Sequence, residues 1–524
     1  MGGEKVNLQK RTLIKQLDQL PENSMVKICG WLAVSNEDLI VRDFTGAIII
    51  KDIDEKLSSE IGSRVQVKGL YCGNKIMVKE LSIISRSNLI ISNDKVQSIK
   101  KYRQTEHVNL LRQMNIAEQL VRGFLLENNF IEIRTPILWE PPIREYGQLE
   151  LEAVHPEFHN SMYSLLQSPL VPSLLIAIGG LERTFQFSRC FRWDPQGDDN
   201  TKSLEFNQLH LTMAFTSMEE GREFSERLIS HLINNLKGEG FSNSFSRITY
   251  DESIMKFGND RPDFRYNEIL TPIIYSKEII NSQTDSLFQG VLVKSLLPEF
   301  VLRTLLESLG KYFENVGIMT MSGGNVKKYG NIHLKNFKAW ISKFNIKSDV
   351  TLFILQPKSE RYDPLIKAFC RQLAKYLNQS IKEIGIGWVE NFPYLFKMDE
   401  LNEKELKYLK HFSRSLFGRT YKENGKIYLR SHDLILNGVE IASGGEKEHD
   451  ALKFKENLIV ASRGANINLE DYNYYIEALQ NGAPPLYTIA FGWERLLSQI
   501  FKTNSIYDLI IFPKDGAGRW KVIE

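Results

Sequence analysis

Cysteine is scarce in this chain: four in 524 residues, at Cys29, Cys72, Cys190 and Cys370. They lie far apart with no CxxC pair, which excludes a cysteine zinc site and a disulfide framework and fits a reducing compartment. No apolar run approaches the ~18 residues that a membrane-spanning helix needs, so no membrane partner is expected. Charge of one sign is also missing. The 66 basic residues nearly balance 64 acidic ones, leaving a net +2, and a chain so balanced is no general polyanion binder. A glycine-lysine-serine/threonine phosphate loop is absent, so any ATP chemistry must use another scaffold. Met1-Gly2-Gly3-Glu4-Lys5-Val6 offers neither a signal-peptide core nor a myristoylation signal, and the cytoplasm is the expected compartment.

What is present is ordinary globular composition over a length that calls for two to four domains. Residues 25–85 read as short strands. Val26-Lys27-Ile28-Cys29-Gly30-Trp31 and Arg64-Val65-Gln66-Val67-Lys68-Gly69 alternate, Ala47-Ile48-Ile49-Ile50 is a buried run, and Gly73-Asn74 turns into Lys75-Ile76-Met77-Val78. So many strands in so short a span suggest a small barrel of the OB type, with any other small β domain as the alternative. A polar linker leads to a helix carrying Ile116, Leu120, Val121, Phe124 and Leu125 on one stripe. Phe130 to Pro136 then alternates as a strand. The stretch 281–384, with helical patterns at 300–314 and 363–376, carries no chemical constellation and reads as an inserted α/β domain. The expected division is 1–88 barrel, 89–108 linker, 109–280 first catalytic part, 281–384 insertion and 385–524 second catalytic part.

Three segments carry chemistry. Phe191-Arg192-Trp193-Asp194, a polar loop, and Glu205-Phe206-Asn207-Gln208-Leu209-His210 predict a strand-loop-strand hairpin presenting Arg192, Phe206 and Gln208 on one floor. An arginine there can stabilise charge on an α-phosphate, and a phenylalanine can stack on adenine; a half-buried hairpin with a surface arginine explains the segment equally well. Asp433 to Glu440, followed by Ile441-Ala442-Ser443-Gly444-Gly445, predicts two carboxylates brought together by an Asn437-Gly438 turn. Such carboxylates suit magnesium on ATP phosphates, and the small residues allow close backbone approach to a ligand. Taken alone, this segment reads more simply as a plain hairpin with solvated acids. Ala490-Phe491-Gly492-Trp493-Glu494-Arg495 reads as a strand breaking at Gly492 into a helix, a start that suits phosphate.

Taken together and in order, these segments resemble the class II aminoacyl-tRNA synthetases, and the bacterial-type aspartyl enzymes in particular. Residues 121–138 resemble the first family motif, Arg189-Cys190-Phe191-Arg192 with Glu205-Phe206-Asn207-Gln208 the second, and Ala490 to Arg495 the third. Gln167-Ser168-Pro169, Phe257 to Asp263, Trp388 to Pro393 and Ile511-Phe512-Pro513-Lys514 resemble further landmarks. The resemblance spans nearly the whole chain. It implies an α+β fold, an antiparallel catalytic sheet with an N-terminal OB-type barrel that in the family reads the anticodon, and a homodimer joined through the first motif. It implies ATP and Mg2+ as cofactors and an amino acid and tRNA as substrates. Arg192 and Arg495 would be catalytic. Arg192, Asp194, Phe206, Glu440, Gly492, Glu494 and Arg495 would bind ATP, and Asp433 and Glu440 would hold the metal. Ser168, Ser173, Gln208, His210, His411, Gly444 and Lys447 would surround the amino acid.

The pocket departs from the family pattern. Leu170 and Ser173 stand where the family has glutamine and lysine, His210 where it has aspartate, and Lys447 where it has arginine; Asp194 replaces a glutamate, and the family's paired histidines survive at most as His411. Losing a buried lysine from a carboxylate site removes a contact worth ~2–5 kcal/mol, and lysine for arginine forfeits a two-pronged hydrogen bond. The barrel segment from Ala33 to Asp43 carries Glu37 and Asp38 where a basic loop is expected. Activation of aspartate or a relative with transfer to tRNA is therefore the first expectation. A paralogue serving a non-tRNA acceptor is the alternative, and a non-catalytic tRNA-binding or regulatory relative comes third.

Overall fold

The computed structural model describes residues 10–53, 60–87, 105–140, 148–152, 162–194, 200–238, 240–241, 244–265, 269–280, 287–346, 349–357, 363–377, 383–394, 415–462 and 469–521. They fall into two compact units. One comprises 1–120, 194–204 and 503–524; the other comprises 121–193 and 205–502.

The first unit contains a closed five-stranded barrel: β1 (Ser24–Ser35), β2 (Asp38–Asp43), β3 (Gly46–Lys51), β4 (Arg64–Cys72) and β5 (Lys75–Ser85), in the order β1-β2-β3-β5-β4. Alternation drives Val26, Ile28, Leu32, Val65, Val67 and Ile76 inward. The stretch Ala33 to Asp43, read from sequence as a loop, is instead a tight hairpin. Asn36 and Glu37 form its turn at φ 48° and 67°, the left-handed pair that matches strand twist. Asp38 therefore sits in β2, where Lys51 Nζ reaches it at 2.5 Å.

The second unit is built on an eight-stranded sheet. Its strands are β6 (Ile131–Glu132), β7 (Arg183–Phe191), β8 (Glu205–Ala214), β9 (Ser246–Thr249), β10 (Ile386–Glu390), β11 (Ser431–Leu436), β12 (Val439–Lys447) and β13 (Leu486–Gly492). They run in the order β9-β10-β11-β12-β13-β8-β7-β6. Pairing is antiparallel from β10 through to β7, with parallel pairs only at the two ends. The strand expected over 130–136 is cut to Ile131–Glu132; Ile133 N still donates to Phe185 O, but the Thr135 N–H turns to the Gln186 side chain and the ladder ends.

One sheet face carries Leu209, Leu211 and Met213, fully buried. The other carries the candidate site. At one end the helix α2 (Leu170–Ile178), numbered after α1 (Thr105–Glu127), closes that face. There Leu174 and Ala177 pack with Ala214, Leu486, Phe454 and Tyr475. Between β9 and β10 lies a further sheet of strands from Ile269 to Pro357, covered by helices Glu299–Leu309, Phe337–Ser342 and Asp363–Tyr376. The helix expected over 300–314 stops at Leu309, since Phe313 already opens a strand. Among the described residues no helix is long and apolar enough to cross a membrane.

Candidate active site

Residues that face each other across antiparallel strands share a side of the sheet, so the register places the site. Gln186 pairs with His210, His210 with Ala490, Ala490 with Ser443, and Ser443 with Asp433. Gln208 and Phe206 lie one and two steps along β8 on that same face, Gln208 opposite Gly492. Just past the end of β7, the Arg192 guanidinium stands 5.8 Å from the Phe206 ring centre. The predicted floor of Arg192, Phe206 and Gln208 thus exists as a local arrangement.

The carboxylates come from the β11–β12 hairpin. Asn437 and Gly438 take φ 54° and 77°, closing a two-residue turn that sets Leu436 opposite Val439 and Ile435 opposite Glu440. Asp433 and Glu440 consequently project on one side. A bulge then intervenes, since Leu434 pairs with Ala442 rather than with Ile441. The extra residue reverses the alternation, so Ser443, Gly445 and Lys447, rather than Ala442, Gly444 and Glu446, share the side of Asp433. Asp433 is buried. Glu440 is partly open and pairs with Arg261 Nη2 at 3.1 Å; Arg261 lies in the Phe257 to Asp263 landmark, whose role the sequence reading left unassigned.

Gly444 therefore faces away from Asp433. A Cβ there would lie 2.7 Å from Thr488 O, so its small size serves strand packing, not ligand approach from the site side. Gly492 borders Arg495, whose Cβ and Cδ lie 3.6 Å from where a Cβ would project. Arg495 and Glu494 open α4, numbered after α3 (Met218–Lys237); α4 spans Trp493–Phe501. Glu494 is buried, and its carboxylate accepts hydrogen bonds from Asn207 N at 3.0 Å and Asn207 Nδ2 at 2.6 Å. Burial pushes its pKa up, against the pull of those bonds. The sequence resemblance set Glu494 among the ATP-binding residues; Asn207, its partner here, carried no sequence signal beyond its place in the motif.

The amino-acid side of the face is the most altered. Lys447 and His210 are both buried. Desolvation lowers the Lys447 pKa to about 8. Desolvation and then the positive charge of Lys447 lower that of His210 to about 3, so its imidazole is neutral. Thr212 Oγ1 lies 3.3 Å from His210 Nε2. His210 Nδ1 and Gln208 Oε1 are buried with no hydrogen-bond partner among the described residues. Orphaned polar atoms on one face are the mark of a pocket meant for a polar ligand or water. The Ser173 hydroxyl is committed, donating to Pro169 O at 2.6 Å at the start of α2. Ser168 is half-buried just before that helix. His411 lies outside the described residues. Asp194 belongs to the first unit, where Lys202 Nζ pairs with it at 2.8 Å and its N–H donates to Gly516 O.

Comparison with known proteins decides the family. Residues 95–516 match the model of tRNA synthetases class II (D, K and N). The chain belongs to the class II tRNA synthetases. Among curated relatives of this family, the aspartate–tRNA ligase of Thermosipho africanus is 28% identical, over 85% of this chain and 78% of its own length. The aspartate–tRNA(Asp/Asn) ligase of Hydrogenobaculum sp. is 28% identical over 79% and 74%. The aspartate–tRNA ligase of Buchnera aphidicola subsp. Baizongia pistaciae is 26% identical over 94% and 95%. Among solved structures, asparaginyl-tRNA synthetase from Pyrococcus horikoshii, complexed with asparaginyl-adenylate, superposes with TM-score 0.59 at 15% identity, covering 98% of this synthetase and all of that chain. That last likeness concerns the fold. As a class II synthetase the protein is an aminoacyl-tRNA ligase that uses ATP, and its divergent pocket accords with identities below 30%.

Proposed function

We propose that this synthetase activates aspartate or a closely related amino acid as its adenylate and passes the acyl group to tRNA. The observation that carries the reading is the single sheet face that holds Arg192 and Phe206, the hairpin acids Asp433 and Glu440, and the His210–Lys447 pocket. The amino-acid carboxylate oxygen attacks the α-phosphorus of ATP, a bond forms there, and the bond to the bridging oxygen of pyrophosphate breaks. Arg192 meets the charge that gathers on the α-phosphoryl oxygens, while Phe206 and Arg495 hold adenine between a ring and a guanidinium. Gly492, beside Arg495, leaves room for the base.

Two hard carboxylates on one side suit Mg2+, which takes one or two carboxylates along with substrate phosphates. Asp433 and Glu440 would hold it, and it would neutralise phosphate charge. Lys447 supplies the cation for a substrate side-chain carboxylate, with Gln208, His210 and Ser168 around it. Glu494 acts at a remove from the nucleotide.

We further read the chain as a cytoplasmic homodimer with an OB-type barrel and the domain division given above. Support for the dimer comes from the first motif, where Ile131 in the edge strand β6 and Ile137 and Leu138 just beyond it are each more than two-fifths exposed. A cluster of this kind marks an interaction surface.

A non-tRNA acceptor is the second reading, favoured by the barrel: its β1–β2 turn carries Glu37, and Lys51 and Lys68 are paired with Asp38 and Glu80. Amino-acid-dependent pyrophosphate exchange across a substrate panel, followed by charging with and without tRNA, tests the whole proposal. No exchange with any amino acid would overturn it, and exchange without charging would favour the second reading.

A further inference from the structure

The bond pattern at the start of α4 assigns a role to a residue that the nucleotide itself need not touch. The β8–β13 ladder ends at Gln208 opposite Gly492. Beyond that pair the strand β13 has turned into a helix, and the Asn207 N–H has lost its ladder acceptor. The Glu494 carboxylate takes it, with Oε2 at 3.0 Å and Oε1 at 3.3 Å, and Oε1 also accepts from Asn207 Nδ2 at 2.6 Å. Glu494 is 2% exposed. A buried carboxylate is expensive unless its bonds are charge-assisted and complete, so three contacts to one residue, 287 positions away in sequence, are more than incidental packing.

The neighbours give the clamp its meaning. Phe206 precedes Asn207, and Arg495 follows Glu494. Those are the two groups read above as the faces of the adenine slot. Their separation is set by how the first turn of α4 sits against the end of β8, and the Asn207–Glu494 contact is a direct tie between those two elements.

We propose that Glu494 is a positioning residue which, through Asn207, fixes the gap between Phe206 and Arg495 and so sets affinity for the adenine base of ATP. This rests on the adenylation reading for its purpose, but its test does not. A merely structural carboxylate would show itself in stability; a positioning one shows itself in ATP affinity. Glu494→Gln separates these, because glutamine keeps the volume and one acceptor, loses the second, and removes the desolvation cost of the charge.

The measurement is calorimetric ATP binding together with thermal unfolding on the full chain, wild type and variants, alongside KM values in pyrophosphate exchange. Glu494→Gln is expected to weaken ATP by about 10- to 100-fold, the scale of a displaced binding group. KM for the amino acid should move less than about twofold and the melting temperature should hold or rise. In a Phe206→Ala background the same substitution should cost little further, since the residue acts through the slot. Unchanged ATP affinity in Glu494→Gln, or full additivity with Phe206→Ala, overturns the inference. If exchange fails in the wild type with every amino acid, the adenylation reading falls, while ATP binding still decides this one.

Discussion

Arg261 and Glu440 form an ion pair at 3.1 Å across two segments of the catalytic unit. The arginine is about half exposed and the glutamate about one-fifth, and pairs so open are worth ~0–1 kcal/mol. Such a weak partner orients the carboxylate and yields it to a stronger cation. Glu440→Gln is therefore expected to raise the magnesium concentration giving half-maximal exchange several-fold, on the order of the loss of one hard anionic ligand. A magnesium titration on wild type and variant reads this directly, and superimposable curves would make Glu440 purely structural.

Arg192 stands over the Phe206 ring at the strand end. Removing it takes away the cation placed for the α-phosphoryl charge. Arg192→Ala should lose ~10²–10³ in exchange rate, the usual effect of deleting one such donor, with circular dichroism and melting unchanged. A variant exchanging at the wild-type rate would refute its catalytic role.

The buried Lys447 sets a pH dependence. Its folded pKa is lowered from 10.5 to about 8, so the free enzyme carries the cation below that value and loses it above. For a substrate with an anionic side chain, kcat/KM should fall about tenfold for each pH unit beyond the folded pKa, since that ratio reports the free enzyme. Lys447→Arg, charged throughout, should flatten the profile. In stability the same group runs the other way. Between the folded and unfolded values the unfolded chain binds more protons, so stability rises with pH across that window. His210, neutral with its pKa near 3, likewise lends stability that is lost as pH falls from 6.5 towards 3. A profile for Lys447→Arg identical to the wild type would remove Lys447 from the side-chain subsite.

Anticodon reading is expected to be weak. The β1–β2 turn offers Asn36 and Glu37 in place of a basic loop, and Lys51 pairs with Asp38 at 2.5 Å and Lys68 with Glu80 at 2.7 Å; the remaining barrel lysines, Lys27, Lys75 and Lys79, give attraction with little sequence preference. Charging of aspartate tRNA and of the same tRNA with its anticodon replaced, at fixed salt, should agree within a few-fold. A large drop on replacement would restore the barrel as an anticodon reader.

Much of this was legible in the order of residues alone. The barrel strands, the helix start at Trp493 and the placing of Asp433 and Glu440 on one hairpin all follow from local rules: alternation, an Asn-Gly turn, a glycine before a helix. Those rules act within a few residues, so no other part of the chain is needed to apply them. Three things were not local. The bulge after Glu440 fixed which half of the 441–447 segment faces the site, bringing Lys447 in and turning Gly444 away. Such a bulge leaves no mark in a glycine-rich stretch whose side chains barely alternate. The capture of Asn207 by Glu494 joined residues 287 apart, and no periodicity reaches that far. Lastly, the charge states of His210 and Lys447 depend on burial. Burial is a property of everything packed around them: neighbouring strands such as β13 and the core beyond had to assemble before a histidine and a lysine could become a neutral base and a buried cation.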